Sequence, residues 1–90
     1  MPTLFTIFGL RFYFYSEEHL PIHVHVRNSD GRAKIQVDPE VVLIENKGIK
    51  PNDLKKALTL ANLYKEQITE FWYEFFMEKW WEDPEGMVRE

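Results

Sequence analysis

Two short segments in the first half of the chain alternate between apolar and polar residues, and this alternation constrains the fold most strongly. Ile22–Arg27 reads IHVHVR and Ala33–Val37 reads AKIQV. Because successive side chains of a strand point to opposite faces, each segment predicts a strand with one apolar and one polar face. Asp30-Gly31 predicts a type I′ turn between them, since both central residues of such a turn need a positive φ. The two segments therefore predict an antiparallel hairpin that rests one face on a core.

Further strand signals flank this hairpin. Thr3–Phe8 is rich in β-prone residues, Gly9 breaks the segment at a predicted hairpin, and Arg11–Tyr15 alternates again. Val41–Ile44 is a short apolar run that fits either a fifth strand or a single helical turn. The first half therefore predicts a small antiparallel sheet of four to five strands over residues 3–45.

The second half carries the signals of a helix. Pro51 suits the first helical position, and Asp53 lies where a negative charge complements the helix dipole. Asp83-Pro84 closes the pattern. The apolar residues recur at spacings of three and four: Leu54, Ala57, Leu58, Ala61, Tyr64, Ile68, Phe71, Trp72, Phe75 and Phe76. We therefore expect an α+β fold in a single domain of residues 1–90, with one long C-terminal helix (about 51–81) covering the sheet and a flexible tail at 82–90.

The end of this predicted helix suggests an association surface. A helix over residues 51–81 would be about 46 Å long, whereas a domain of this size is roughly 30 Å across, so the helix overshoots unless it bends. Its end is apolar nearly all round, and exposed apolar patches usually mark interfaces. We expect a homodimer or a docked partner there, and the alternative is that the aromatic residues fold back on the sheet edge. The candidate interface residues are Tyr73, Met77, Trp80 and Trp81.

Composition excludes several classes of protein. The chain has no cysteine, so disulfide scaffolds and thiolate zinc sites are excluded. The N-terminus lacks the pattern of a signal peptide, and no window approaches the roughly 18 apolar residues of a membrane span. We therefore expect a soluble cytoplasmic protein without membrane contact. The net charge of −4 comes entirely from residues 51–90, so the first half remains free to carry a basic surface.

All three histidines lie within seven positions. His23 and His25 occupy alternate positions of one predicted strand and therefore share a face, from which two imidazoles can converge on one metal ion. His19, in the preceding loop, could add a third nitrogen. Glu17, Glu18 or Asp38 could supply a carboxylate. Such a set would suit zinc, nickel or iron, although no cofactor is established by the sequence.

The same three histidines also fit metal-free acid–base chemistry. Histidine titrates near neutrality, and a metal-free ribonuclease needs one base and one acid. The polar strand faces carry no acid between Arg11 and Gln36 and could instead bind RNA, DNA or a protein without catalysis. The third alternative is an ordinary solvated sheet face. If the strands pair as expected, that face combines two of the histidines, His23 and His25, with Arg11, Tyr13, Tyr15, Arg27, Arg32 and Lys34.

Several stretches carry a family resemblance. MPTLFTIFGLRFYFYSEEHLPIHVHVR, GRAKIQVDP and ENKGIKPNDL, followed by an aromatic-rich helix, resemble the small bacterial proteins of domain-of-unknown-function family 4160. The similarity covers roughly residues 1–76 and centres on the run from Tyr15 to Val26. Ile22 stands where family members often have proline, and the tail from Trp80 onward is particular to this chain.

The resemblance implies a gene context rather than a reaction. Genes of the family often lie beside those of another family of unknown function, number 2442, in pairs that resemble toxin–antitoxin modules. This implies a partner protein of family 2442 and raises the weight of a binding function for the basic face. It supplies no catalytic residues, so the functions of His19, His23 and His25 are inferred from the residues alone.

Overall fold

The computed structural model describes residues 3–15 and 18–77. Five strands form one antiparallel sheet in the order β1-β2-β3-β4-β5, so each strand pairs with its neighbour in sequence. Within the described part of the chain no helix has the length and apolar character needed to cross a membrane. The strands are β1 (Thr3–Ile7), β2 (Leu10–Tyr13), β3 (His23–Arg27), β4 (Arg32–Gln36) and β5 (Val42–Lys47).

The sheet follows from the alternation in the sequence. Val24 and Val26 are fully buried on the same face as Ile35, whereas Arg27 is exposed. The first hairpin is tight because Phe8 and Gly9 both have positive φ, of 56° and 74°. Val41–Ile44 contributes to a strand, β5, and not to a helical turn. The predicted antiparallel sheet is thus confirmed, with five strands.

The hairpin between β3 and β4 is confirmed, but its predicted type I′ turn is wrong. The loop has four residues, and the Asn28 side-chain oxygen accepts hydrogen bonds from the backbone amides of Asp30 (2.9 Å) and Gly31 (3.1 Å). Gly31 is needed for close packing, because a Cβ there would lie 2.1 Å from the carbonyl oxygen of Lys47. Glycine is required at this position because β5 approaches closely, and not because the turn needs a positive φ.

The prediction of one long C-terminal helix is wrong. Two shorter helices, α1 (Pro51–Leu63) and α2 (Lys65–Trp72), cover one face of the sheet, and Tyr73–Met77 continues with π-helical geometry. Tyr64 interrupts them at φ −104° and ψ 22°. Its ring packs on Phe5 of β1, with 5.0 Å between the centroids. The aromatic contact with the edge strand therefore coincides with the break in an otherwise continuous apolar stripe.

The core lies between the two helices and this covered face of the sheet. Phe12 and Phe14 contribute fully buried rings from the first half, and Ile68 and Trp72 of α2 belong to the same core cluster. Gly48, with φ of 101°, supplies a positive φ in the turn before α1. The other sheet face carries the odd-numbered residues of β2 and β3, lies opposite the described helices α1 and α2, and is called the open face below.

Candidate functional site

Two histidines and one glutamate meet at the open face. The Nε2 atom of His23 lies 2.6 Å from Oε1 of Glu18, and Nε2 of His25 lies 3.0 Å from Oε2 of the same carboxylate. The side chains of Glu18, His23 and His25 are only 6%, 6% and 10% exposed. We call these three residues the His–Glu cluster. As predicted, His23 and His25 share one face of β3, and both belong to this cluster.

Backbone groups orient the His–Glu cluster. The Nδ1 atom of His23 donates a hydrogen bond to the carbonyl oxygen of Pro21 at 2.9 Å, because a carbonyl can only accept. The backbone amide of Tyr15 donates to Oε2 of Glu18 at 2.8 Å. The chain on both sides of the Glu18 loop thus holds the carboxylate and one imidazole in fixed positions.

This geometry requires a hydrogen or a metal ion between His23 and Glu18. Because Nδ1 of His23 carries the hydrogen, Nε2 of the neutral ring presents a lone pair to a carboxylate oxygen 2.6 Å away. Two acceptors do not approach so closely unless a proton or a metal ion lies between them. When no metal is bound, His23 and Glu18 therefore share one proton at this contact.

Aromatic rings enclose the cluster. The ring of Tyr15 lies 4.1 Å from the imidazole of His25, and that of Tyr13 stacks on His25 at 5.5 Å. Trp72 packs edge-on against His23 at 5.4 Å. Tyr13 is 1% exposed, so its ring cannot stack on a nucleobase, whereas Tyr15 remains 40% exposed. The sequence-based expectation of solvent-facing histidines fails because these rings and the Glu18 loop cover them.

Burial also changes the acidity of two groups in this layer. It lowers the pKa of His25, since the imidazolium loses hydration, and the positive charges of His23 and Lys34 act in the same direction against the attraction of Glu18. Burial likewise raises the pKa of the Tyr13 phenol, with a hydrogen bond to Tyr15 as the next cause. Both changes favour the neutral form.

A row of four basic residues crosses the open face beside the cluster. Strand register places Arg11 opposite Arg27, Arg27 opposite Arg32, and Arg32 opposite Lys47. We call these four residues the cation row. At about 4.8 Å between neighbouring strands, the row spans roughly 14 Å. It contains Arg11, Arg27 and Arg32, which were predicted for this face from the sequence, together with Lys47, which was not.

Lys47 joins the row because β5 contains a bulge. Register shifts between Lys34 and Ile35, so that Lys34 faces Glu45 while Ile35 faces Leu43. The extra residue, Ile44, is 48% exposed. This shift directs Leu43 to the core and leaves Glu45 and Lys47 on the open face, where they form an ion pair at 3.2 Å. No residue pattern in the sequence marks the bulge.

Two shallow grooves flank Lys34. One, of about 220 Å³, is lined by the His25 side chain together with Tyr15, Arg32, Glu45 and Lys47. The other, of about 180 Å³, is lined by Glu18, His19 and His23. His19 is exposed and does not join the described His–Glu cluster. The third candidate metal ligand is Glu18, and not His19 as the sequence suggested.

The remaining predicted residues lie away from this face or outside the described residues. Tyr73 is 49% exposed at the start of the π-helical segment. Trp80 and Trp81 lie outside the described residues, as do Glu17 and the side chain of Met77. The predicted homodimer interface therefore stays a prediction.

Comparison with known proteins identifies the chain's family. Neither the curated proteins nor the solved structures provide a match. Residues 9–73 match the family described as "Domain of unknown function (DUF4160)". That span contains Glu18, His23 and His25, together with all four residues of the cation row. The match covers well over half of the 90 residues, and the chain belongs to the DUF4160 family.

Proposed function

We propose that this protein binds single-stranded nucleic acid along the cation row. The main support for this proposal is the strand register, which sets four basic residues side by side on four adjacent strands: Arg11, Arg27, Arg32 and Lys47. Like charges directly opposite one another destabilise a sheet. A phosphodiester backbone would neutralise these charges and release its own counterions.

The surroundings of the row support a strand of nucleic acid as the ligand. Arg27, Arg32 and Lys47 are exposed, and Glu45 forms an ion pair with Lys47. Tyr15 is 40% exposed and lines the same groove as Arg32 and Lys47, where its ring is available for base stacking. Arg11 lies 5.1 Å from the centroid of the Tyr13 ring, which steadies its guanidinium at one end of the row.

The test is the salt dependence of binding to labelled oligouridylate and oligothymidylate, measured by fluorescence anisotropy. Each neutralised phosphate of a single strand contributes about −0.7 to the slope of log K against log salt, so four cations predict roughly −3. An Arg27→Ala/Arg32→Ala variant should bind more weakly and lose about half of that slope. Unequal binding of oligouridylate and oligodeoxyuridylate, which differ only in the 2′-hydroxyl, would show that this group is read.

A matched control removes the same charge from another surface. Lys55 and Lys56 are exposed on α1, which covers the opposite face of the sheet. Lys55→Ala/Lys56→Ala should retain the wild-type slope. Binding that is insensitive to salt, or that both double variants weaken equally, would refute the proposal.

Two finer expectations accompany this proposal. Histidine-dependent RNA cleavage and membership of a two-gene toxin–antitoxin-like module both stay predictions. The same oligouridylate, analysed on a denaturing gel, reports cleavage directly. A groove of about 330 Å³ lined by Thr3, Leu4 and Phe71 supports a partner-protein contact away from the cation row.

A further inference from the structure

We propose that Glu18, His23 and His25 form a binding site for one divalent transition-metal ion of the zinc class. One ligand atom from each residue lies within 4.8 Å of the other two. Two imidazole nitrogens and one carboxylate oxygen are a ligand set that zinc and non-haem iron use with a further position left open. The site does not use the cation row, so it is independent of nucleic-acid binding.

The ligand distances fit such an ion after a small adjustment. Metal–ligand bonds of about 2.0–2.2 Å in a tetrahedral site place neighbouring ligand atoms roughly 3.3 Å apart. Glu18 contacts His23 through Oε1 at 2.6 Å and His25 through Oε2 at 3.0 Å, and no two candidate ligand atoms lie more than 4.8 Å apart, so the separations have to change by about 1.5 Å or less. The exchange of the intervening proton for a metal ion would require this displacement.

Backbone groups next to the three ligands hold the ligand side chains in orientations suitable for metal binding. A metal-binding histidine usually donates its second ring nitrogen to a carbonyl or carboxylate. His23 does so toward Pro21, and this hydrogen bond directs the Nε2 lone pair at the cluster. The amide of Tyr15 holds the Glu18 carboxylate in the same way. His25 would bind as the tautomer that carries its hydrogen on Nδ1.

The burial of the His–Glu cluster favours a metal ion as its partner, because little water can reach these side chains. Three titratable side chains are almost entirely removed from water under the rings of Tyr15 and Trp72. Buried charged groups are generally paired or coordinate metals. The groove lined by Glu18, His19 and His23 reaches the cluster from solvent and offers an entry path.

The test uses untagged full-length protein that has been stripped with a chelator and titrated with Zn²⁺ by calorimetry. We expect one ion per chain, with affinity lowered roughly 100-fold or more in Glu18→Gln and in His25→Gln, since loss of a ligand exceeds loss of an outer-shell partner. His19→Gln is the matched control and should bind as the wild type does, because His19 lies outside the cluster.

A measurement on the unmutated chain keeps the proposal testable if a variant fails to fold. Histidine ring ¹⁵N spectra during the Zn²⁺ titration should show the Nε2 resonances of His23 and His25 moving together while those of His19 stay in place. The proposal is overturned by the absence of saturable binding in the wild type, by unchanged affinity in His25→Gln, or by ring shifts confined to His19.

Discussion

Glu18 is the residue that turns two neighbouring histidines into a cluster. The alternation of β3 predicts that His23 and His25 share a face, and it also predicts that they meet solvent. They are buried instead, because the loop after β2 places Glu18 over both rings. Loop residues have no periodicity, so the sequence suggested Glu18 only as one of several possible carboxylates. Hydrogen bonds from Tyr15 and to Pro21 fix the loop, and no sequence pattern encodes them.

A substitution at this residue should reveal its contribution to stability. Glu18→Ala removes the hydrogen-bond partner of the exposed Tyr15 amide and of the Nε2 atoms of His23 and His25, so that two buried imidazoles each lose a partner. In the presence of a chelator, we expect the free energy of unfolding to fall by about 2–3 kcal/mol in urea denaturation. Glu66→Ala, at an exposed position of α2, should change it by less than about 0.5 kcal/mol. Equal effects of the two substitutions would show that the cluster has no stabilising function.

At the level of elements, patterns of period two and period 3.6 predicted where strands and helical segments lie. Period two located β3 and β4, because their apolar positions meet one core. The helical stripe missed the break at Tyr64, since its apolar spacing continues through the interruption and only the contact with Phe5 marks the position. The β3–β4 loop was also misassigned, because Asn28 supplies hydrogen bonds that replace the expected tight turn. Local periodicity therefore predicts elements better than it predicts their ends.

Gly31 provides a test of the β3–β4 loop. Gly31→Ala should lower the free energy of unfolding by about 3 kcal/mol, because the new Cβ would meet backbone atoms that cannot move aside cheaply. Gly9→Ala is the comparison, since that position has a positive φ but open space around it. It should cost about 1 kcal/mol, the strain of a left-handed residue. Thermal and urea unfolding would contradict this packing if Gly31→Ala were the milder change.

At the scale of the whole molecule, the net charge of −4 conceals an uneven distribution of charged residues along the chain. Four basic side chains form one row on the open face, while the acidic excess lies in residues 51–90. Face parity predicted three members of the row, and the bulge in β5 added Lys47. Register depends on loop lengths and bulges that alternation does not reveal, so the row could be predicted only in part. Within the described part of the chain the row lies on the sheet face opposite α1 and α2, and its residues Arg27, Arg32 and Lys47 are exposed.

The most direct test of this account is to map the nucleic-acid contact on the unmutated protein. Backbone amide resonances should be followed by ¹H–¹⁵N spectroscopy while unlabelled oligouridylate is added at low salt. The account predicts that the largest shifts occur at Arg11, Arg27, Arg32 and Lys47, that residues of α1 stay nearly unchanged, and that added salt reverses the shifts. Shifts centred on α1 or α2, or no shifts at all, would contradict it.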